Sequence, residues 1–235
     1  MNDVDTSGLK TIGTDPYVGE TPQNALGSWL TPNSLFYVRS QFDYPEIDEN
    51  TWELKVASSL GDEMALSLGD IKQLPKHTVT VTLECAGNNR GDLKPPAPGN
   101  QFNNGAVSNA VWSGTSLKSL LSKINLGQDV VEILFEGADV GSPAADKNAE
   151  PYLRSLPLDL ALHEDTLLAY EMNGETLPLE HGYPIRLIIP GWYGMAHVKW
   201  VNKISAITTP FSGYFQGEKY VMKYEDGTER PVQEI

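Results

Sequence analysis

The sequence predicts an α+β fold in which strand-rich mixed sheets dominate and helices are few and short. Its 235 residues include 21 glycines and 16 prolines, a composition that favours many turns and short strands over long helices. Apolar residues alternate with polar ones or form short runs, which is the pattern of strands. A hydrophobic content of 40% and a charged content of 20% are typical of a globular protein that buries a substantial core.

Three regions follow one another along the chain. Residues 1–30 are polar and turn-rich, and we expect them to wrap the surface with Trp29 and Leu30 as an anchor. Residues 31–215 carry the strand patterns and form the main domain. Residues 216–235 form an acidic tail, which we expect to be loose from Glu225 onward.

Short strands account for most of the main domain. Residues 52–56 alternate apolar and charged side chains, which predicts a half-buried strand. Residues 185–189 form a nearly continuous apolar run broken by Arg186, and an arginine in such a run is either paired or directed at a ligand. Asn173-Gly174 predicts a hairpin turn. The predicted strands are residues 35–39, 52–56, 77–84, 111–114, 130–135, 167–172, 185–189 and 198–207.

Two stretches of the main domain have the spacing of helices. Residues 67–74 predict a short helix closed by Pro75. Residues 117–124 predict a second helix, with Thr115 as its cap and Gly127 as its stop. Two long polar loops are candidates for covering a site, because long loops in compact domains tend to carry function. These loops are residues 91–105 and 137–150.

The stretch at 77–90 organises the chain, because a strand there runs into the only cysteine, Cys85, and then turns sharply at 86–89. A lone cysteine is most often a small buried hydrophobe. A nucleophilic role would need a base, and the histidines are remote in sequence, so that pairing stays open. A zinc site would need several Cys and His ligands at short spacing, and the sequence has no second cysteine. The histidines are His77, His163, His181 and His197.

Charge and targeting signals narrow the class of protein. A net charge of −14 argues against nucleic acid and anionic membrane surfaces as partners, because both attract basic faces. No apolar run is long enough to span a membrane. The N-terminus lacks the pattern of an export signal, and a single cysteine gives no sign of an oxidising compartment. We expect a cytoplasmic protein, although an exported, periplasmic form with its signal removed would look the same.

A family resemblance enters at Cys-Ala-Gly-Asn-Asn-Arg, residues 85–90. It is similar to the Cys-Ala-Gly-Asn-x-Arg motif of the sulfite oxidase family of molybdopterin enzymes, and further matches follow in the family's order over roughly residues 33–205. The resemblance implies a sulfite-oxidase-type molybdopterin-binding fold, with 31–215 as the catalytic domain. The other matching stretches are residues 36–39, 112–117, 135–139, 152–157, 168–174, 180–186, 190–191 and 197–200.

The resemblance also implies site residues and cofactors. Cys85 would be the thiolate that ligates molybdenum, because soft thiolates suit such metals. Tyr152 would hydrogen-bond at the metal, and Arg39 and Arg90 would line an anion pocket beside it. Arg186, His181 and Lys199 would bind the phosphate of molybdopterin by charge-assisted hydrogen bonds. The full set of implied pterin contacts is Tyr37, Val38, Arg39, Ser40, Gln41, Asp139, His181, Arg186, His197, Val198 and Lys199.

The sequence departs from the family pattern at two site positions. Gln41 stands where animal and plant members have histidine, and Ala196 stands where they have a sulfite-binding arginine. Without that arginine we expect weak or absent sulfite oxidation and a less charged substrate, unless Lys199, Arg90 or Arg154 compensates.

The chain has neither a haem-attachment motif nor the family's C-terminal dimerisation domain. We therefore expect a stand-alone, monomeric catalytic domain that relies on a separate electron-transfer protein.

The predicted function is a molybdenum–molybdopterin oxidoreductase that transfers an oxygen atom to or from a small substrate with two electrons. One alternative is a module of the same fold that binds the cofactor without catalysis. Another is a reductase of a small oxo-substrate such as an oxyanion or a sulfoxide. A weaker alternative is a cysteine hydrolase that uses Cys85 as its nucleophile.

Overall fold

The structure is a computed structural model that describes residues 6–235, so predictions for residues 1–5 lie outside it. It confirms a strand-rich α+β fold with mixed sheets and few, short helices. None of the described helices is both long and apolar enough to cross a membrane. The α-helices are α1 (Leu68–Lys72), α2 (Leu117–Leu121) and α3 (Leu158–Ala161). The strands are β1 (Lys10–Thr14), β2 (Tyr17–Glu20), β3 (Val38–Arg39), β4 (Glu53–Ala57), β5 (Glu63–Ser67), β6 (Lys76–Glu84), β7 (Val107–Ser116), β8 (Glu132–Gly141), β9 (Glu150–Pro157), β10 (Leu167–Met172), β11 (Glu175–Thr176), β12 (Arg186–Ile188), β13 (Val201–Ile207), β14 (Val221–Lys223) and β15 (Glu229–Pro231).

One five-stranded sheet has the order β5-β4-β13-β8-β9 and is mixed, because β13 runs parallel to β4 and antiparallel to β8. Leu54 and Val56 of β4 are buried while Glu53 and Lys55 are exposed, which confirms the predicted half-buried strand. β8 continues to Gly141 and β9 starts at Glu150, so the loop predicted at 137–150 is confined to residues 142–149. Its pairing with β9 slips between Glu136 and Val140, and such an irregularity re-aims the side chains within it.

The second five-stranded sheet has the order β11-β10-β7-β6, with β12 also paired to β10. β6 is its edge strand, and its alternation is as predicted: Val81 and Leu83 are buried, whereas Thr80 and Thr82 are exposed. The chain leaves this edge at Cys85. The turn predicted at Asn173-Gly174 is confirmed, since it joins the antiparallel strands β10 and β11.

The two predicted helices form, but one cap differs from the prediction. Ser67 caps α1, accepting a hydrogen bond from the Asp70 amide in a capping box. α2 is capped by Ser116, whose hydroxyl accepts from the Ser119 amide. Thr115, the predicted cap, lies one residue earlier within β7 and is fully buried, so its hydroxyl cannot reach the first turn of the helix.

The N-terminal region is more ordered than predicted. β1 and β2 form a hairpin that pairs with β3, which is shorter than the predicted strand because residues 33–35 form a 3-10 helix. Trp29 does not anchor this region, since 80% of it is exposed. The hairpin instead holds β3, and with it Arg39, at a fixed place.

The C-terminal region is also not a loose tail. A π-helical turn at Tyr214–Lys219 leads into the β14–β15 hairpin. The end of the chain then packs on the main domain, where the Tyr193 amide donates to the Gln233 carbonyl at 2.8 Å and the Ile235 amide donates to the Gly191 carbonyl at 2.9 Å. Backbone hydrogen bonds of this kind are invisible to composition, which is why the acidic sequence was misleading.

Candidate functional site

A pocket with about 640 Å³ of empty volume lies where the loops after β3 and β6 meet the loops before β12 and β13. It collects every site residue implied by the resemblance except Arg90 and Val198. The lining residues are Tyr37, Val38, Arg39, Ser40, Gln41, Cys85, Ala86, Asp139, Tyr152, Glu180, His181, Arg186, Gly194, Met195, His197, Lys199 and Tyr220.

Cys85 is held at the wall of the pocket by its backbone. Its amide donates to the Ala106 carbonyl at 2.8 Å, and its carbonyl accepts from the Asn88 amide at 2.8 Å, which closes the predicted turn. The Gly87 amide points at Sγ, 3.4 Å away. Burial raises the pKa of the Cys85 thiol, although this amide and the charges of Arg39 and Arg90 oppose the rise. The thiol therefore favours its proton, and only a strongly attracting cation such as a metal would displace that proton.

Arg90 does not line the pocket, contrary to the resemblance. Asn89 adopts a left-handed conformation with φ of 61°, and Arg90 then opens a 3-10 helix. This geometry folds the guanidinium back onto the turn, so that a Cβ placed on Gly87 would lie 3.1 Å from the Arg90 Cζ. The positive charge of Arg90 therefore lowers the pKa of Cys85, but Arg90 does not line the space in which a ligand would lie.

Arg186 is the buried cation at the centre of the pocket wall. Only 6% of it is exposed, its Nη1 donates to the His181 carbonyl at 3.1 Å, and its Nε has no hydrogen-bond partner. Its guanidinium stacks over the Trp112 ring at 5.4 Å. Burial lowers the pKa of Arg186 to about 10, so it remains charged at neutral pH. A buried guanidinium with unused donors is a ready site for an anion.

The two pocket histidines are neutral, which corrects the expected charge on His181. His197 accepts a hydrogen bond from the Ile189 amide at Nδ1, 3.1 Å away, and donates from Nε2 to the Trp192 carbonyl at 3.0 Å. That pattern requires the neutral Nε2–H tautomer. Burial lowers the pKa of both His181 and His197 to about 3. His181 Nε2 lies 3.0 Å from the Asn33 carbonyl and must donate to it, so the neutral ring leaves Nδ1 as an acceptor and adds no positive charge at neutral pH.

Val198 is fully buried behind the pocket and offers it no side chain. It belongs to the main hydrophobic core, and its carbonyl accepts from the Leu187 amide at 2.9 Å. Its neighbour Lys199 does face the pocket. The residue at 198 therefore positions the segment before β13 that carries His197 and Lys199 on either side of it.

Lys199 and Asp139 form the polar floor of the pocket. The Lys199 ammonium donates to the Ser40 hydroxyl at 2.6 Å and to the Glu180 carbonyl at 2.9 Å, and it lies 4.1 Å from the centroid of the Trp200 ring. Burial and the charge of Arg186 lower the pKa of Lys199. Burial raises the pKa of Asp139 to about 6, against the opposing pull of Lys199. The Asp139 carboxyl is therefore protonated more readily than an exposed aspartate.

Tyr152 is buried in the pocket wall, not packed at the surface. Its hydroxyl donates to the Met195 carbonyl at 2.7 Å, and its ring packs on Phe215 with centroids 4.7 Å apart. Burial raises the pKa of Tyr152 far above its usual value, so the phenol stays protonated. With its proton engaged by Met195, the phenol oxygen is free to accept a hydrogen bond from a ligand.

Sequence reasoning missed five lining residues. Ala86 and Glu180 lie within the matching stretches 85–90 and 180–186, and Gly194 and Met195 lie between the stretches 190–191 and 197–200, so proximity along the chain was a usable signal for these four residues. No sequence signal pointed to Tyr220, because it lies in the stretch assigned to the acidic tail. It reaches the pocket through Gln41, whose side-chain amide donates to the Tyr220 hydroxyl.

The residues present fit a metal that arrives within an organic, anionic cofactor. Among the described residues no group of three or more His, Cys, Asp or Glu side chains could hold a metal ion, so a metal at Cys85 must bring most of its own ligands. The unpartnered Arg186 Nε then fits an anionic group of the same molecule. A thiol beside buried cations defines a domain that binds an anionic, metal-bearing redox cofactor.

Comparison with known proteins identifies which cofactor family this is. Residues 41–215 match the family described as oxidoreductase molybdopterin binding domain. The chain belongs to that family, and its cofactor is molybdenum held by molybdopterin. The resemblance found in the motifs is thus confirmed at the level of family, fold and cofactor.

Similar proteins include sulfite oxidases. Mitochondrial sulfite oxidase of Rattus norvegicus is 36% identical over 220 residues, which cover 90% of this chain and 39% of that protein. Sulfite oxidase of Arabidopsis thaliana is 35% identical over 229 residues, covering 91% of this chain and 57% of that protein. The chain therefore spans roughly two-fifths to three-fifths of the length of these relatives.

A solved structure is similar across nearly the whole chain. The sulfane dehydrogenase SoxCD from Paracoccus pantotrophus has a TM-score of 0.80 and 28% sequence identity, and the match covers 93% of this chain and 54% of that one. The likeness supports the fold described above, including the parts of the chain outside residues 41–215.

Proposed function

We propose that this chain is the catalytic domain of a molybdenum–molybdopterin oxidoreductase that performs two-electron oxygen-atom transfer on a small substrate. The observation that carries the proposal is the Cys85 thiol on the same pocket wall as Arg186, a buried guanidinium with unused donors. When bound, the molybdenum cofactor supplies the redox and oxygen-transfer chemistry.

The chain's own residues have separate tasks in this proposal. Cys85 would hold the metal through its thiolate. Arg186 and Lys199 would bind the anionic group of the pterin. His181 is neutral and its Nε2 donates to the Asn33 carbonyl, so it would only accept a hydrogen bond, at Nδ1, and would add no charge. The buried walls exclude water, which strengthens each of these electrostatic interactions.

The substrate end of the pocket would be formed by Arg39 and Tyr152. Arg39 supplies a positive charge oriented by Gln41, whose side-chain oxygen accepts from Arg39 Nη2 at 2.8 Å. The Tyr152 oxygen can accept a hydrogen bond from the substrate. An external electron-transfer protein would take up or deliver the two electrons, because the described residues provide no second redox group besides the Cys85 site.

Metal and pterin analysis tests the proposal. Protein purified from a host that makes the cofactor should contain about one molybdenum per chain and release a fluorescent pterin on denaturation. Turnover with an artificial electron acceptor should then follow, and should be absent from protein made without molybdate. Cofactor at full occupancy without turnover on any sulfur or nitrogen oxyanion or sulfoxide would favour the non-catalytic module instead.

A further inference from the structure

The segment Tyr214–Tyr220 lies largely beyond the family match, yet it is fastened tightly to the main domain. Arg154, which is 1% exposed, donates from Nη1 to the Phe215 carbonyl at 2.7 Å. The Gln216 side chain donates to the Ser155 hydroxyl at 2.7 Å and accepts from the Ser155 amide at 3.0 Å. Because Phe215 is also buried, the residues that follow it are delivered to a defined place.

That place is the mouth of the pocket beside Arg39. Lys219 Nζ donates to the Gln41 side-chain oxygen at 3.1 Å, and Arg39 Nη2 donates to the same oxygen at 2.8 Å. One neutral amide thus gathers two cations, and among residues 6–235 neither cation has a carboxylate within ion-pair distance. Two neighbouring positive charges that share a neutral acceptor are poised for an anion between them.

Tyr220 lines the pocket and offers it a hydroxyl donor that has no acceptor among the described residues. Its hydroxyl oxygen accepts from the Gln41 side-chain amide, and no acceptor for its proton is found among the described residues. Burial raises the pKa of Tyr220, so that proton is retained at neutral pH. The phenol lines the pocket together with Arg39 and Cys85, and its O–H is therefore free to point at a ligand.

The cations proposed from sequence to compensate for Ala196 are occupied elsewhere. Ala196 itself is packed in the core and does not line the pocket. Arg154 holds Phe215, and Arg90 is folded back onto the cysteine turn. Lys199 lines the pocket, but it donates to Ser40 and Glu180 and is assigned to the anionic group of the pterin. Lys219, which sequence reasoning did not consider, is the cation that reaches the mouth.

We propose that Lys219 and Tyr220 are specificity-determining residues that, with Arg39, recognise a small oxyanion at the substrate end of the pocket. The inference rests on the proposed function and adds two residues beyond the family match to the anion pocket that the resemblance implies, which goes against the less charged substrate expected from Ala196. Lys219 neutralises charge at the mouth, Tyr220 donates a hydrogen bond deeper in the pocket, and Gln41 fixes the spacing of both.

Titration calorimetry of the purified, cofactor-loaded protein with sulfate, a stable tetrahedral oxyanion, tests the proposal at low ionic strength. Lys219→Met should raise the dissociation constant for sulfate about tenfold and Tyr220→Phe about fivefold, the loss expected for one charged and one neutral hydrogen bond. Lys219→Arg should restore binding to within about threefold of the native protein. Molybdenum and pterin content should be unchanged in all three variants.

Lys147→Met is the matched control. Lys147 contacts the same segment, pairing with Glu218 at 3.2 Å, but lies outside the pocket, so the variant removes an equal charge without touching the site. It should leave the dissociation constant for sulfate within about twofold of the native value.

Sulfate binding that is absent in the native protein, or equal in the native protein and Lys219→Met, overturns the inference whatever the cofactor content. Protein that lacks molybdenum and pterin but still binds sulfate in a Lys219-dependent way refutes the proposed function and supports the inference.

Discussion

Replacing Arg186 with methionine should remove the cofactor while leaving the cofactor-free protein intact. The guanidinium is buried, has an unpartnered Nε and forms no ion pair with any carboxylate of residues 6–235. An unpaired buried charge contributes little to the stability of the empty protein and often lowers it. Its charged hydrogen bonds to an anion are each worth about 1.5–3 kcal/mol, so losing one or two weakens cofactor retention by about 10- to 10,000-fold.

The assay has two arms. Pterin and molybdenum content of purified Arg186→Met should fall to a small fraction of the native content. The free energy of unfolding of cofactor-free Arg186→Met, measured by urea titration, should equal the native value or exceed it by about 1 kcal/mol. An arginine with a purely structural role would instead leave the pterin content unchanged and lower the free energy of unfolding when it is replaced.

Arg154→Met is a closely matched control. Arg154 is also buried, donates one hydrogen bond to a backbone carbonyl and has an unpartnered Nε, but it does not line the pocket. We expect this variant to keep its pterin, because Arg154 does not line the pocket. Full pterin content in Arg186→Met, or equal pterin loss in both variants, would refute the assignment of Arg186 to the cofactor.

Three further variants test other parts of the site. Cys85→Ser should keep a near-native melting temperature but abolish turnover with an artificial acceptor, because a hydroxyl is a harder donor than a thiolate; near-normal turnover would contradict the ligand assignment. Tyr152→Phe should lower the free energy of unfolding by about 1 kcal/mol with unchanged pterin content, since only the hydrogen bond to Met195 is lost. His197, with its pKa lowered to about 3, stabilises the fold fully above pH 6.5 and loses that contribution as the pH falls toward 3. The contribution lost between pH 7 and pH 5 is about 2 kcal/mol, which His197→Gln should abolish and the exposed His163→Gln should retain in urea titrations at both pH values.

The parts of the molecule that were predictable from sequence depend on local patterns. The alternation in β6 and the turn residues after Cys85 placed the thiol at a strand end, which the structure bears out. The motif match then assigned most of the lining residues to one pocket, something that periodicity alone could not do. Boundaries were less predictable, and the cap at Ser116 differed from the prediction by a single residue.

The parts that were not predictable depend on contacts between distant segments. The neutral state of His181 follows from complete burial, and the orientation of Arg90 follows from the left-handed Asn89 before it. Tyr220 enters the pocket because Phe215 and Gln216 are bound to β9, far away in sequence. An acidic composition near the C-terminus gives no hint of such docking, since a few backbone and side-chain hydrogen bonds are enough to fix a charged segment.

The distribution of charge explains how an acidic protein can recognise anions. The net charge of −14 repels an anion at long range, but salt screens that repulsion beyond about 8 Å at physiological ionic strength. At the pocket the balance is different, because Arg39 and Arg186 in its lining and the exposed Lys219 beside its mouth form no ion pairs among residues 6–235, while other lysines pair with carboxylates away from the site. Burial then strengthens the attraction between the lining cations and an anion in the pocket, since each interaction acts through a medium of lower dielectric constant. Raising the ionic strength should therefore weaken the approach of an oxyanion less than it would at an exposed cationic surface.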